Sequence, residues 1–159
     1  MDELLRLLKE NALEPPENLA RLLDLPVEDV RHRIREYEKR GVIRGYQAIV
    51  NEDQLDLERV KAFIEVKVTP EREGGFDRVA RRISRFSEVQ AAYLTSGAFD
   101  LLLLVVGRDL RAVAAFVSEK LSTMQGVTAT ATHFMLKAYK EHNLVMEPED
   151  EHERLKVSP

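Results

Sequence analysis

The stretch AYLTSGAFDLLLLVVG, residues 92–107, decides the fold of the larger part of this 159-residue chain. Apolar and aromatic runs on either side of a polar turn at 95–98 predict two adjacent strands, over 89–94 and 99–106. The second run is apolar at positions of both parities, whereas a sheet with one face in water shows polar alternation. The stretch therefore predicts a strand pair within a sheet that is covered on both faces.

The segments around this pair complete a domain. Alternating apolar and polar residues predict a strand over 62–68, and helical spacing predicts helices over 76–83 and 110–121. A last strand is expected over 127–140. The order β-α-β-β-α-β is that of the ferredoxin-like split unit, in which both helices cover one face of an antiparallel sheet. We therefore expect an α+β fold with a ferredoxin-like domain over residues 61–142.

The second face of this sheet needs a cover, because the helices occupy only the first. A second copy of the same sheet is the favoured cover, which predicts at least a homodimer. The alternative cover is the N-terminal part of the same chain. The sequence alone leaves both arrangements open.

Residues 1–50 show helical rather than alternating spacing of their apolar side chains. This spacing predicts three short helices, the third ending at Gly41, and the β-forming residues 42–50 predict a small hairpin wing after them. The polar residues 51–60 are expected to be a linker to the sheet domain. Residues 143–159 are expected to form an acidic, disordered tail.

The net charge of −4 is unevenly distributed. Residues 141–159 hold six acidic and two basic side chains, which accounts for the whole excess, whereas residues 31–44 hold six basic and two acidic ones. The basic block falls opposite the apolar stripe of the third helix and favours a polyanionic partner. Four further arginines on the first helix of the sheet domain are expected to be a solvated surface near Glu88: Arg78, Arg81, Arg82 and Arg85.

Composition disfavours several classes of protein. The chain has no cysteine, which excludes disulfides and thiolate metal sites, and its four histidines lack metal-ligand spacing. We expect neither a metal ion nor a cofactor. The longest apolar run, residues 101–106, is far shorter than the roughly 20 residues that span a bilayer, and the N-terminus lacks the basic start of a secretory signal. A cytoplasmic protein with no membrane partner is expected.

Taken together, residues 2–142 resemble the Lrp/AsnC family of transcriptional regulators. The resemblance rests on residues 30–49, on Ser96-Gly97-Ala98-Phe99-Asp100 before an apolar strand, and on Gly126-Val127 followed by Thr130-Ala131-Thr132. Each piece is short, and their order and spacing carry the resemblance. It implies a winged helix-turn-helix over residues 1–50 and an effector-binding and oligomerisation domain over residues 61–142.

The resemblance implies sequence-specific binding of double-stranded DNA by the basic third helix. Arginines opposite an apolar stripe suit a major groove about 12 Å wide. The candidate DNA-binding residues are Arg31, His32, Arg33, Arg35, Lys39 and Arg44. The alternative is a solvated helix whose arginines pair with Glu28 and Glu38. Pro26 stands where the family usually caps this helix with serine or threonine, and acids in its first turn oppose phosphate.

The resemblance also implies an effector site for an amino acid or related metabolite where dimers meet, in an octamer built from four dimers. Backbone NH groups around Gly97 suit a carboxylate, and Asp100 suits an ammonium. The candidate effector-binding residues are Ser96, Gly97, Phe99, Asp100, Thr130 and Thr132. The alternative is that Gly97 only makes the turn, Asp100 only caps it, and the threonines are ordinary β-formers.

The favoured function is therefore a DNA-binding transcriptional regulator without enzymatic activity. One alternative is an enzyme similar to siroheme decarboxylases, which share this architecture. Those enzymes carry an arginine- and histidine-rich stretch where this chain has residues 45–52, and no acid–base pair here has suitable spacing. Another alternative is a metabolite-binding oligomer that has lost DNA binding, which Glu28 and Asp29 motivate.

Overall fold

The structure is a computed structural model and describes residues 2–55, 57–70 and 75–146. The chain divides into two compact units between Val50 and Asn51. We call residues up to Val50 unit 1 and the remainder unit 2. No helix in the described part is long and apolar enough to cross a membrane.

Unit 1 contains three helices, α1 (Glu3–Glu10), α2 (Pro16–Leu23) and α3 (Val27–Lys39). The side chain of Asp2 caps α1 by accepting a hydrogen bond from the Leu4 N–H, at 2.8 Å. Three residues join α2 to α3, as in a helix-turn-helix, and the first of them, Asp24, is left-handed with φ of 51°. A core of small and aliphatic side chains holds the helices together: Leu4, Leu8, Leu19, Ala20 and Val30.

The predicted glycine end of α3 is confirmed. Gly41 has φ of +69°, its N–H donates to the carbonyl of Glu38 at 2.9 Å, and the Val42 N–H donates to that of Tyr37 at 2.8 Å. These two bonds are the Schellman pattern, which satisfies carbonyls at the helix end. The third helix therefore ends where its glycine predicted.

The hairpin wing expected over residues 42–50 is corrected by the structure. The segment forms no β-ladder and has no regular secondary structure. A two-residue hairpin turn needs backbone angles with positive φ, and Gly45 does not have one. Unit 1 is a helix-turn-helix followed by an irregular segment, in which Ile43 packs against the helical core.

Unit 2 contains a four-stranded antiparallel sheet. Its strands are β1 (Val60–Val68), β2 (Val89–Leu94), β3 (Leu101–Gly107) and β4 (Val127–Phe134), in the spatial order β2-β3-β1-β4. The helix α4 (Asp77–Ile83) follows β1, and α5 (Leu110–Ala115) follows β3 and continues as a π-helical stretch, Phe116–Leu121. The expected ferredoxin-like order is confirmed.

The two faces of the sheet differ sharply. In β3, Leu101, Leu103 and Val105 are completely buried and pack with side chains of α4 and α5, while the alternate residues Leu102 and Leu104 are only partly buried. Residues paired across β1 and β3 share a face, so these alternate residues lie on the side without helices. We call this side the open face. It also presents Phe63, Glu65 and Lys67 of β1, Tyr93 of β2, and Ala129, Ala131 and His133 of β4.

The end of the described chain differs from the expectation. The last strand of the sheet ends at Phe134, and a separate hairpin pairs β5 (Lys140–Glu141) with β6 (Leu144–Val145). His142 and Asn143 both have positive φ, which a two-residue hairpin turn requires. The expectation that the disordered tail begins at residue 143 is therefore wrong for residues 143–146. Residues 147–159 lie outside the described residues.

The expected linker is partly ordered. Glu52–Gln54 form a short 3-10 turn, and the side chain of Asn51 accepts a hydrogen bond from the Asp53 N–H at 3.2 Å. The amide of the same Asn51 donates to the carbonyl of Met146 at 2.6 Å. Asn51 thus ties the start of unit 2 to the residue that follows the β5–β6 hairpin.

Candidate nucleic-acid interface and effector site

The face of α3 opposite the core carries three of the predicted DNA-binding residues. His32, Arg35 and Lys39 are exposed, and helical geometry places them within about 60° of one another. Val30 is completely buried on the other side. Pro26 occupies the N-cap and makes no side-chain cap, as its chemistry requires. This face is the part of α3 that a DNA groove can reach.

Arg31 lies at the edge of this face and is held by two carboxylates. Its guanidinium is 2.5 Å from Glu17 Oε1 of α2 and 2.8 Å from Glu28 Oε1 of α3. The pairing with Glu28 was expected if α3 were an ordinary solvated helix, and the structure contains it. Glu38, the other expected partner, instead accepts from the Tyr46 hydroxyl at 2.9 Å. All three members of the Arg31 cluster are substantially exposed, so phosphate can compete for the arginine.

Arg33 points away from the exposed face, about 160° around the helix axis from Arg35. Its guanidinium is 2.5 Å from Asp2 Oδ2, at the start of α1. Burial by itself raises the pKa of the Asp2 carboxyl, but a hydrogen bond from Tyr37, the Leu4 N–H and the charge of Arg33 together hold that pKa below its usual range. Arg33 thus joins α3 to α1 inside unit 1. The structure separates it from the other candidates.

Arg44 follows the end of α3 and is exposed. Its side chain folds back beside the helix end, since a Cβ added at Gly41 would lie 3.2 Å from Arg44 Nη1. The candidate interface therefore consists of His32, Arg35 and Lys39, with Arg31 and Arg44 at its margins.

The predicted effector turn is the loop between β2 and β3. Gly97 has φ of +130°, which L side chains rarely adopt, so a glycine is needed there. The loop is closed by two hydrogen bonds, from the Thr95 N–H to the carbonyl of Asp100 at 2.9 Å and from the Thr95 hydroxyl to that of Phe99 at 3.2 Å. Ser96 and Gly97 lie between these contacts, at the tip of the loop.

Asp100 anchors the loop to β1. Its Oδ2 accepts from the Val68 N–H at 2.7 Å, and its own N–H donates to the carbonyl of Val66 at 3.0 Å. The alternative interpretation expected the carboxylate to cap the turn itself, whereas it accepts from β1. One oxygen of the carboxylate is occupied in this way, and its role toward an ammonium stays a prediction.

Thr130 and Thr132 lie on the same side of β4, as strand geometry requires. Each is paired with a buried residue of β1, Val66 and Ile64 respectively, so both threonines are turned toward the helix-covered face. Both are partly buried. The open face at this edge is formed instead by the alternate residues, Ala129 and Ala131.

A shallow depression of about 290 Å³ lies where the loop meets β1 and β4. Of the six predicted effector residues, Phe99 and Thr130 line it, and Ser96, Gly97, Asp100 and Thr132 do not. The full lining is Glu65, Lys67, Ala98, Phe99, Ala129, Thr130 and Ala131.

Glu65 and Lys67 also line the depression, although the sequence pattern did not predict them there. They bring a carboxylate and an ammonium to the depression, two residues apart on one strand. Glu65 Oε1 also lies 3.3 Å from His133 Nε2 on β4. Charged residues at alternate positions of an otherwise apolar strand are an available signal for such a site. Among the residues that the structure describes, no three acidic or histidine side chains are arranged to hold a metal ion.

The chain has close relatives among known regulators. Residues 61–145 match the family model of the Lrp/AsnC ligand binding domain. The chain is 45% identical over 158 residues to the uncharacterized HTH-type transcriptional regulator YugG of Bacillus subtilis (strain 168), covering 99% of this chain and 95% of YugG. It is 32% identical over 133 residues to the proline dehydrogenase transcriptional activator of Rhodobacter capsulatus, covering 84% of this chain and 86% of that protein.

Solved structures share the fold. The complex of the Neisseria meningitidis transcriptional regulator NMB0573 with L-Met superposes with a TM-score of 0.66 at 26% identity, over 89% of this chain and 93% of that one. An AsnC family transcriptional regulator from Agrobacterium tumefaciens gives a TM-score of 0.67 at 27% identity, over 89% and 94%. With a helix-turn-helix in unit 1 and the matched domain in unit 2, the chain belongs to the Lrp/AsnC family of transcriptional regulators.

Proposed function

We propose that this regulator binds double-stranded DNA in the major groove through the exposed face of α3. The observation that supports it most is the placement of His32, Arg35 and Lys39 on one solvent face of a helix that follows a three-residue turn. In a helix-turn-helix the second helix enters the groove with its N-terminal part against base edges. His32 takes that position, while Arg35, Lys39 and Arg44 contact phosphates.

The effector in this proposal is an amino acid or related metabolite at the depression beside the β2–β3 loop. Lys67 pairs with the carboxylate of the effector and Glu65 with its ammonium, while Phe99 contacts the side chain of the effector. A zwitterion has both charges that this lining complements. The complex of the Neisseria meningitidis relative with L-Met supports this class of ligand.

Assembly is the third part of the proposal. The open face presents a partly buried pair, Leu102 and Leu104, beside Phe63 and Tyr93, which are 38% and 58% exposed. A second copy of the sheet covers these side chains in a homodimer, and four dimers form an octamer. Effector binding changes the spacing of paired α3 helices or the assembly state. The protein acts in the cytoplasm, where its DNA is.

A second candidate function is a metabolite-binding oligomer without DNA binding. It is favoured by the neutralisation of Arg31 by Glu17 and Glu28. No catalytic activity is part of either proposal, since the relatives are transcriptional regulators.

A binding assay separates the two candidates. Fluorescence anisotropy is measured with duplexes from the DNA upstream of the gene that encodes this protein. It should show saturable binding that Arg35→Ala weakens at least tenfold. The matched control is Arg6→Ala, which removes a charge from α1, where Arg6 pairs with Glu3 and Glu10. Equal affinities for the wild type and both variants, or no binding to any genomic duplex, would reject the DNA-binding proposal.

A further inference from the structure

A second basic surface lies on α4, far along the chain from α3. Three arginines of α4, Arg78, Arg81 and Arg82, fall within about 100° around the helix axis, and a fourth, Arg85, lies in the turn that follows the helix. We call them the α4 arginine face. They line a shallow depression of about 430 Å³ together with one acid, Asp77. The opposite side of α4 carries buried Val79 and Ile83, so the arginines are held outward by core packing.

Glu88, the acid expected near this surface, is engaged elsewhere. Glu88 accepts hydrogen bonds from Lys120 at 2.5 Å and from the Ser87 hydroxyl at 3.1 Å, and the contact with Lys120 lowers its pKa. Arg81 lies 3.6 Å from Asp77, a pair in which both side chains are highly exposed. Arg82 and Arg85 have no carboxylate within 4.0 Å in the part of the chain that the structure describes. Arg82 and Arg85 therefore keep their positive charge.

The residues that line this surface indicate which class of partner it can bind. Among the described residues, its lining contains no aromatic side chain on which bases of a single strand could stack. Within the same part of the chain, it also contains no apolar side chain of the kind that anchors a protein interface or enters a membrane. Apart from Asp77, the described lining consists of guanidinium groups, which bind phosphate oxygens in a bidentate geometry.

We propose that the α4 arginine face is a second contact for the phosphate backbone of double-stranded DNA, independent of base sequence. This inference rests on the proposed function, because the same DNA is the partner. The helical rise from Arg78 to Arg82 is about 6 Å, and Arg85 extends the surface beyond the helix end. Since a duplex carries one charge per roughly 1.7 Å of axis, several phosphates fall within that length. Unit 2 then adds affinity on every sequence and leaves the choice of sequence to α3.

The test compares two double variants of the full chain that lose the same charge. Arg82→Gln with Arg85→Gln alters the α4 arginine face, whereas Arg108→Gln with Arg111→Gln alters exposed arginines at the start of α5. Affinity for a duplex from the upstream region and for a scrambled duplex is measured from 50 to about 300 mM salt. We expect the α4 variant to make the log–log salt slope shallower by about 1.8 per engaged subunit on both duplexes. The α5 variant should keep the wild-type slope.

The remaining outcomes decide against the proposal in distinguishable ways. Equal slopes for the two double variants mean that only total charge matters and overturn the α4 contact. Binding that is lost in Arg35→Ala but unchanged in the α4 variant also overturns it, while the proposed function stands. If the wild type binds neither duplex, the proposed function fails as well. Adsorption to phosphatidylserine vesicles is measured for the same proteins. If only the α4 variant loses this adsorption and its DNA binding is unchanged, the surface binds a membrane and the proposal is overturned.

A variant that removes a negative charge tests the same contact independently. Asp77→Asn removes the one acid of this surface without altering any arginine. We expect tighter binding to the scrambled duplex by about twofold to fivefold, since one repulsive charge is removed. Weaker or unchanged binding would contradict the contact, provided that thermal melting shows the variant is folded.

Discussion

The helices α3 and α4 both carry arginines opposite buried apolar side chains, but they hold them differently. On α3, Arg31 and Arg33 are paired with carboxylates. On α4, Arg82 and Arg85 have no carboxylate partner within 4.0 Å among the described residues. A paired arginine has a defined position and a reduced charge, whereas an unpaired one keeps its charge and its rotamer freedom. The pair with Asp2 therefore keeps Arg33 away from the exposed face of α3, whereas the mobile charges of Arg82 and Arg85 suit any phosphate backbone.

The largest expected effect comes from unfolding unit 1 alone, which distinguishes the DNA contact of α3 from that of α4. Leu19→Ala removes a completely buried side chain from the core of unit 1 and should cost about 2 to 5 kcal/mol of its stability. Binding to the upstream duplex should then be lost, while weak binding to a scrambled duplex through α4 remains. Calorimetry and anisotropy measure the two consequences.

The control for that experiment is on the same helix. Leu22 is 66% exposed, and Leu22→Ala should leave both the melting profile and the preference for the upstream duplex unchanged. Loss of scrambled-duplex binding in Leu19→Ala, with unit 2 still folded, would show that unit 2 makes no contact with DNA.

The next largest effect concerns the ligand, which should influence α3 and not α4. At about 100 times its dissociation constant, a bound amino acid stabilises the protein by about 2.7 kcal/mol, a thermal shift of roughly 5 to 11 °C. Screening the twenty amino acids should find at least one such ligand. It should change the affinity for the upstream duplex and leave that for a scrambled duplex alone.

Lys67→Met is the sharpest variant for this site, because Asp100 also anchors the loop to β1. The thermal shift should disappear in Lys67→Met and persist in Lys140→Met, which removes an exposed lysine from β5. A ligand that shifts both variants as it shifts the wild type is bound elsewhere.

A smaller effect tests whether Arg33 is structural. The folded-state pKa of Asp2 is lowered, so its ionised form adds stability above the unfolded pKa of about 3.9, and that stability is lost as pH falls through the folded value. Asp2→Asn should cost about 0.2 to 1 kcal/mol at pH 7 and make the stability of unit 1 less sensitive to acid below pH 4. Asp77→Asn on α4 should cost nothing measurable, since its pair is far more exposed. Identical acid profiles for wild type and Asp2→Asn would remove this role.

The smallest effect concerns the charge of Arg31. Glu28→Gln removes a carboxylate 2.8 Å from its guanidinium and should strengthen binding to the upstream duplex by about twofold to fivefold. Glu10→Gln on α1 is the matched control and should have no effect. A decrease in affinity with Glu28→Gln would mean that Glu28 positions Arg31 for the groove.

Much of the fold was predictable because the relevant signals are local. The alternation in β1 and the apolar run of β3 specify a sheet and its two faces directly. The failures concern turns. A hairpin was expected around Gly45, but this residue lacks a positive φ. A different hairpin, which turns at His142 and Asn143, was not predicted, and both of these residues have a positive φ. Backbone angles of this kind are weakly encoded by side-chain type outside glycine.

The sites were predictable only in part, because the partners that decide them are distant in sequence. Arg33 has helical neighbours that suit DNA contact, but Asp2 lies 31 positions away and turns it inward. The threonines of β4 were expected to complete a polar lining, and the register with β1 turns both toward the helix-covered face. Pairing register and long-range ion pairs emerge only from the assembled fold.

The most direct test of the central claim compares Arg35 with Arg33 on the same helix. Salt dependence of binding to the upstream duplex is measured for Arg35→Gln and Arg33→Gln, after thermal melting has shown that both variants are folded. If the exposed face of α3 contacts phosphate in each half of a dimer, Arg35→Gln makes the log–log slope shallower by about 1.8, and Arg33→Gln leaves it unchanged. A slope that Arg35→Gln does not change, or that both variants change equally, contradicts the assignment of this face to DNA.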